Sequence, residues 1–302
     1  MAEPVVDPAG LTGAELVRAL TTTRAQDPGA IARAAAARPR RERLLGESGR
    51  LMLLAADHPA RGALRVADDP LAMADRGELL RRIAVALSRP GVDGFLGTPD
   101  LVEDLLLMGA LDDLVVLGSM NRGGLAGTTF EIDDRMTGYD ADAIAAGGLD
   151  GGKMLLRVDP EDPATAATLE SCAHAVSALA GHRLMAMVEP FISHRVDGRV
   201  RNDLSVEAVI RSATVAAGLG TTSAYTWLKL PVLAEMERVA DATTLPVLLL
   251  GGEASIDQPE TLDRWQRALK LPTVFGMIVG RALLYPPDGD VATAVDKTVG
   301  LL

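Results

Sequence analysis

The stretch Thr221–Leu233, TTSAYTWLKLPVL, is apolar and β-prone, and its one charged side chain is Lys229. The chain has four lysines, Lys153, Lys229, Lys270 and Lys297, against twenty-six arginines. A guanidinium cannot lose its proton, whereas an amine can, and it then attacks carbonyls. Heavy use of Ala and Arg with little Lys also fits GC-rich coding, so rarity alone does not mark a catalytic amine. Three more ionisable groups sit at the ends of similar apolar runs: Asp57 closes LMLLAAD, Lys153 opens KMLLRVD and Glu189 lies near the end of LMAMVEP. Each is costly to bury alone, and together they can satisfy one another. A neighbouring ammonium and low polarity both favour the neutral form of a lysine held among them. Such an amine adds to a ketone to give a carbinolamine and then an iminium, an electron sink beside which a carbon–carbon bond can break or form. Glu189 and Asp57 are the acid/base candidates for the proton transfers. The competing reading is that Lys153 and Glu189 form a buried ion pair that only fills the interior.

Anion-binding groups follow in the chain. LLLGGEAS (248–255) and GMIVGRALL (276–284) both end apolar runs in glycine, which lets backbone N–H groups approach an oxyanion; Gly251, Gly252 and Gly280 are the candidates, with Arg281 as a forked donor. Ordinary tight turns are the alternative. Alternation along KMLLRVD puts Leu155, Arg157 and Asp159 on the Lys153 face. GSMNRGG (118–124) offers Ser119 or Arg122 to polar substrate groups, with a plain turn equally compatible. His58 follows Asp57 and could orient it or bond substrate, although a lone histidine at a strand end is more often structural. His174 and His182 read as exposed, and His194 with Asp197 and Asp203 lacks metal-ligand spacing. No G-x-S-x-G, H-E-x-x-H or P-loop occurs. No metal or other cofactor is expected.

These groups need a frame that brings strand ends together. From Arg50 onward, eight short β-type runs alternate with amphipathic stretches: 51–57, 92–97, 114–119, 153–159, 184–190, 224–230, 246–252 and 274–280. Helices are predicted around Arg76–Ser88, Leu101–Met108, Ala141–Ala146, Pro163–Ala180, Ser205–Ala217, Val232–Ala242, Thr261–Leu269 and Val291–Val299. Eight βα units over about 250 residues predict an α/β fold of the (β/α)8 TIM barrel type, with active-site groups at the carboxyl ends of the strands. An open doubly wound sheet competes less well, because no run is followed by G-x-G-x-x-G. Residues 1–10 read as a loose arm and Leu11–Arg38 as helical, with a Thr12/Glu15 capping box and Pro28 as a breaker. Residues 1–49 are therefore expected as an N-terminal helical extension and 50–302 as the barrel. The longer connections, 120–140 and 191–204, are the expected lid or specificity loops.

The 302 residues are 48% hydrophobic and 24% charged, with a net charge of -11, which argues against an electrostatic nucleic-acid partner. Cys172 is the one cysteine, so no intramolecular disulfide forms. The acidic, Pro-rich start lacks a signal-peptide pattern and no run is long enough to span a bilayer, so the expectation is a cytoplasmic protein without membrane partners.

In order, AADHPARG, GGKMLLRVD, MVEPF, WLKLPV and VGRALL resemble the motifs of the class I aldolases typified by tagatose-bisphosphate aldolase, with sugar-phosphate and sulfosugar-phosphate aldolases and, more distantly, deoxyribose-phosphate aldolase. The resemblance covers about 50–284. It implies Lys229 as the Schiff-base residue, with Lys153, Glu189 and Asp57 serving proton transfer and substrate hydroxyls, and Gly280 and Arg281 binding the phosphate of a sugar-phosphate substrate. Barrel aldolases commonly associate, which leaves a homo-oligomer open. Two departures stand out: Pro59 and Ala60 precede Arg61 where the family has Asp-x-x-Gly, and Arg157 replaces a frequent aromatic, which implies a more anionic substrate. The sequence also resembles an actinobacterial barrel family encoded with inositol-catabolism genes, which implies cleavage of 2-deoxy-5-keto-gluconate 6-phosphate to dihydroxyacetone phosphate and malonate semialdehyde; the extra carboxylate would suit Arg157 or Arg122. Fructose or tagatose bisphosphate and deoxyribose 5-phosphate are alternatives. From other classes come a sugar-phosphate epimerase or isomerase using Glu189 and Asp57, and a non-catalytic sugar-phosphate sensor.

Overall fold

The computed structural model describes residues 4–252 and 259–302. Among these residues the strands are β1 (Leu51–Ala55), β2 (Gly94–Gly97), β3 (Val115–Ser119), β4 (Gly151–Val158), β5 (Met185–Val196), β6 (Arg199–Asp203), β7 (Thr226–Pro231), β8 (Val247–Leu250) and β9 (Val274–Val279). The helices are α1 (Gly13–Gln26), α2 (Gly29–Ala37), α3 (Arg76–Leu87), α4 (Pro99–Leu107), α5 (Ala141–Ala146), α6 (Ala164–Gly181), α7 (Val206–Ala217), α8 (Met236–Ala240), α9 (Pro259–Ala268), α10 (Arg281–Leu284) and α11 (Val291–Val299). Eight strands pair in parallel around a closed ring, β1-β2-β3-β4-β5-β7-β8-β9 and back to β1, giving the (β/α)8 barrel expected from the sequence. The eight barrel strands are mainly apolar because both of their faces are buried. Leu51, Leu53, Ala55, Leu117, Met187 and Leu248 belong to the inner cluster, while Met52, Leu54, Val116 and Leu249 pack outward with the helices.

The ring closes where the first strand meets the last. An added Cβ at Gly276 would lie 1.9 Å from the Leu51 carbonyl oxygen, and its φ is +136°, so this register along β1 and β9 requires glycine. Below the inner cluster, Leu44 and Leu45 pack against it from the N-terminal segment together with Phe275. Trp227 meets Phe275 edge to face with centroids 5.7 Å apart. The barrel floor is therefore filled.

Outside the barrel, α1 lies on α3 and α2 on α4. Thr12 and Glu15 form the predicted capping box, with the Thr12 N–H donating to Glu15 Oε2 at 2.9 Å, and Pro28 separates the two helices. The described part of the arm expected to be loose is instead tied down: Val6 is buried and its N–H donates to the Leu107 carbonyl at 2.9 Å. The predicted helix at Val232–Ala242 shortens to Met236–Ala240, because β7 continues to Pro231 and Val232 is drawn into the cavity wall. The segment 191–204 is also corrected. Rather than forming an irregular loop, β5 runs on to Val196 and returns antiparallel as β6 through a turn at Asp197 (φ 50°) and Gly198 (φ 74°). Among the described residues no helix is long and apolar enough to cross a membrane.

Candidate active site

Along β4, β5 and β7 every second side chain faces the barrel axis, and above the apolar layers the same rows carry charge. Lys153, Glu189 and Lys229 stand on these rows, and Asp57 follows β1. They converge on one cavity of ≈ 590 Å³ at the carboxyl ends of the strands. Lys229 Nζ lies 3.1 Å from Glu189 Oε1, and Lys153 Nζ bonds Glu189 Oε2. Lys153 Nζ also donates to Asp57 Oδ2 at 3.1 Å. The same oxygen accepts from Ser119 Oγ at 3.1 Å and has Arg122 Nη2 at 3.1 Å. Lysine, carboxylate, lysine, carboxylate and arginine thus form one continuous chain, buried at 4% exposure for Lys229 and 1% for Lys153 and Asp57.

Burial pushes Asp57 upward, but Arg122 and Lys153 outweigh it and hold the carboxyl well below the usual range. Glu189 follows the same logic: burial raises it, while Lys153 and Lys229 bring it down to about 2. Lys153 is pulled below the ordinary ammonium range by burial, against the opposing push of Asp57 and Glu189. The two carboxylates are therefore ionised at neutral pH.

Residues 49–299 match the model described as Cgl0159-like. The chain belongs to the Cgl0159-like family. The crystal structure of Cgl0159 from Corynebacterium glutamicum is 54% identical over 99% of this chain and 98% of that one, with a TM-score of 0.93. Outside the family, a Schiff base-forming fructose-1,6-bisphosphate aldolase is 17% identical over 90% of this chain and 99% of its own, with a TM-score of 0.59. An archaeal fructose-1,6-bisphosphate aldolase, with its catalytic lysine bound to the carbinolamine intermediate of its substrate, is 16% identical over 90% and 98%, at a TM-score of 0.58. At these identities the likeness is one of fold. No curated protein sequence matches.

Around the central set, this Cgl0159-like barrel places the other sequence candidates unevenly. Gly280 lines the cavity, and a Cβ there would meet the Ala55 carbonyl oxygen at 2.6 Å. Arg281 opens α10 beside it and donates through Nη1 to the Arg65 carbonyl at 3.2 Å. Gly251 and Gly252 line the same end, while Glu253–Ser255 of the glycine-rich motif lie outside the described residues. Helix α9 adds Arg264, which sequence reasoning did not single out; its signal was an arginine one turn into the helix that follows the glycine pair. Ser119 is fully buried and turned to Asp57, away from the cavity lining. Asp159 also leaves the Lys153 face and accepts the Glu161 N–H at 3.0 Å. His174 and His182 are exposed, and His182 Nε2 pairs with Asp142 at 2.7 Å.

Arg157 reaches the cavity wall but is engaged on its other side. Its Nη1 pairs with Glu131 and its Nη2 donates to the Glu131 carbonyl at 2.7 Å, while Arg61 Nη1 donates to Asp134 at 2.7 Å. These buried pairs bind the 120–140 segment over the mouth. Asn121 anchors its start: Nδ2 donates to the Leu155 carbonyl at 2.6 Å and Oδ1 accepts the Leu155 N–H at 2.8 Å. The β5–β6 hairpin contributes Phe191 and Asn202 and touches the same segment, Arg195 Nη2 donating to the Thr129 carbonyl at 2.6 Å. Among the described residues no group of three or more His, Cys, Asp or Glu is arranged to hold a metal ion.

Proposed function

We propose that this chain is a class I aldolase that makes or breaks a carbon–carbon bond in a phosphorylated keto sugar or keto sugar acid through a Schiff base on Lys229. One observation carries the reading: a buried lysine amine at a barrel mouth has a carboxylate oxygen at 3.1 Å, and that carboxylate is shared with a second buried lysine. Neutral Lys229 adds to the substrate ketone, whose oxygen takes up a proton to give the carbinolamine. Loss of that oxygen as water, with a proton supplied from the Glu189–Lys153 pair, leaves the iminium. A base then takes the proton of the hydroxyl two carbons from the imine carbon. The bond joining the hydroxyl-bearing carbon to the carbon beside the imine breaks, its electrons form the enamine double bond as the C=N pair moves onto nitrogen, and an aldehyde departs. Protonation of the enamine carbon and hydrolysis of the imine free the lysine.

Glu189 suits the exchange because its acidity depends on its neighbours. Two ammonium groups hold it down, so whenever the nitrogen of Lys229 is neutral one of them is gone and Glu189 becomes a stronger base. The cationic end formed by Gly280, Arg281 and Arg264 suits a phosphate. Fold likeness to Schiff base-forming aldolases supports the same class.

Borohydride reduction with dihydroxyacetone phosphate, followed by peptide mapping, tests the mechanism. The expected adduct is on Lys229, and Lys229→Arg abolishes it together with at least about 10⁴-fold of turnover. Turnover with an unmodified lysine would instead support proton shuttling by Glu189 and Asp57 in an epimerase or isomerase. A panel of fructose and tagatose bisphosphates, deoxyribose 5-phosphate and 2-deoxy-5-keto-gluconate 6-phosphate ranks substrates within the class. The last is included because the sequence resembles barrels encoded with inositol-catabolism genes.

A further inference from the structure

Arg122 is the one cation of the central set that cannot release its proton. It is 6% exposed. Its Nη2 lies 3.1 Å from Asp57 Oδ2 and its Nη1 donates to the Asp57 carbonyl at 3.5 Å, yet Nη2 and Nε have no aligned hydrogen-bond partner among the described residues. The guanidinium therefore meets the Asp57 carboxylate as a charge more than as a directed donor. The chain holds it there from two sides: the Arg122 N–H donates to Thr137 Oγ1 at 3.2 Å, and Asn121 just before it is bonded to Leu155.

Charge balance gives this contact its consequence. Asp57 and Glu189 are both ionised, and Lys153 and Lys229 face them. Were the two lysines alone to balance the two carboxylates, both would stay ammonium, because a buried set with net charge is costly. No amine would then be free to attack a ketone. Arg122 supplies a positive charge that cannot leave, so one amine can release its proton and the set of five is neutral. The other charged groups at this wall are balanced elsewhere. Arg61 pairs with Asp134 at 2.7 Å, and Arg157 pairs with Glu131. His58, with Nδ1 3.9 Å from Asp57, is held neutral, brought to about 3 by burial. Arg264 and Arg281 line the end of the cavity assigned above to phosphate. Lys153 is lowered by burial first, and Arg122 is among the charges that act in the same direction.

We propose that Arg122 is a positioning residue whose permanent charge, set against Asp57, lets one lysine of the buried set stand as a free amine. The inference rests on the Schiff-base reading above and adds to it a residue that acts through Asp57.

With only four lysines in the chain, the amines can be followed one by one. Lysine labelled with carbon-13 at Cε gives four signals in a magnetic-resonance pH titration of the full chain, and Lys270→Arg and Lys297→Arg identify the two outside the set. One of the remaining two is expected to lose its proton below the range of Lys270 and Lys297. In Arg122→Gln its midpoint rises by about one pH unit or more, the scale on which one adjacent charge moves a buried lysine. Arg122→Lys, which adds a fifth signal, leaves that midpoint near its unmodified value. The double variant Arg122→Gln/Asp57→Asn brings it back down, since charge and countercharge leave together; a residue that only props the segment gives no such recovery. Should Arg122→Gln fail to fold, Asp57→Asn compared with the double variant reads the same charge, the midpoint lying higher in the double. A midpoint indifferent to Arg122 in both comparisons, or one that stays raised in the double variant, overturns the inference. Borohydride trapping with dihydroxyacetone phosphate separates it from the aldolase reading. A midpoint that depends on Arg122, without any lysine adduct, supports Arg122 and removes the aldolase; an adduct on Lys229 with a midpoint indifferent to Arg122 does the reverse.

Discussion

Glu189 and Asp57 each answer to more than one cation, and this determines how the molecule responds to acid. Glu189 is pushed up by burial and brought down to about 2 by Lys153 and Lys229, from an ordinary value of 4.5. A carboxylate lowered in the folded state contributes stability that is complete above its unfolded value and is lost as pH falls through the folded one. Asp57 is lowered in the same direction. His58 is brought from 6.5 to about 3 by burial, so the unfolded chain protonates first and stability starts to fall below about 6.5. All three losses add with the same sign. Urea midpoints should therefore drop steadily from pH 7 to pH 3, and His58→Gln should flatten the upper part of that slope; a midpoint that stays level across the range would contradict the assignment. The amines and carboxylates were visible in the sequence because a charge inside an apolar run is conspicuous. Arg122 drew less notice, since its role comes from a tertiary contact with Asp57 sixty-five residues earlier, which no local pattern encodes.

Elements read from the sequence wherever one physical signal dominates. The eight barrel strands showed as mainly apolar runs because both of their faces are buried, and the boundaries of α5 and α11 coincide with the expected ones because Asp140 and Asp290 cap them through the N–H groups of Ala143 and Thr293. The β5–β6 hairpin was lost because its residues are mostly exposed and polar, which mimics a loop; Asp197-Gly198, a favoured hairpin turn, was the signal to weigh. In the 120–140 segment pairing passes from backbone to side chains. Asn121 stands in for a strand against both polar groups of Leu155. Asn121→Ala leaves those groups unpaired, at a cost of about 1–3 kcal/mol. Amide exchange should accelerate at Leu155 and across the start of the segment while the N-terminal half of β4 keeps its protection. Uniform exchange along β4 in the variant would refute this role.

At the scale of the whole molecule, the rhythm of the chain announced eight units, but neither the glycine seam at Gly276 nor the filling of the floor by Leu44 and Leu45 had a local signature, since both depend on distant segments meeting. The filled floor has a kinetic consequence. A vessel stoppered below has one door, at the strand ends, and everything the reaction consumes or yields passes through it. On the proposed chemistry the ketone half stays tethered to Lys229 until water enters to hydrolyse it, and that water comes by the route along which the aldehyde leaves. Departure is therefore sequential, aldehyde first and ketone last. Product-inhibition kinetics read the queue directly: in the cleavage direction the ketone half should compete with substrate and the aldehyde half should not, and competition by both would show that the exits are independent.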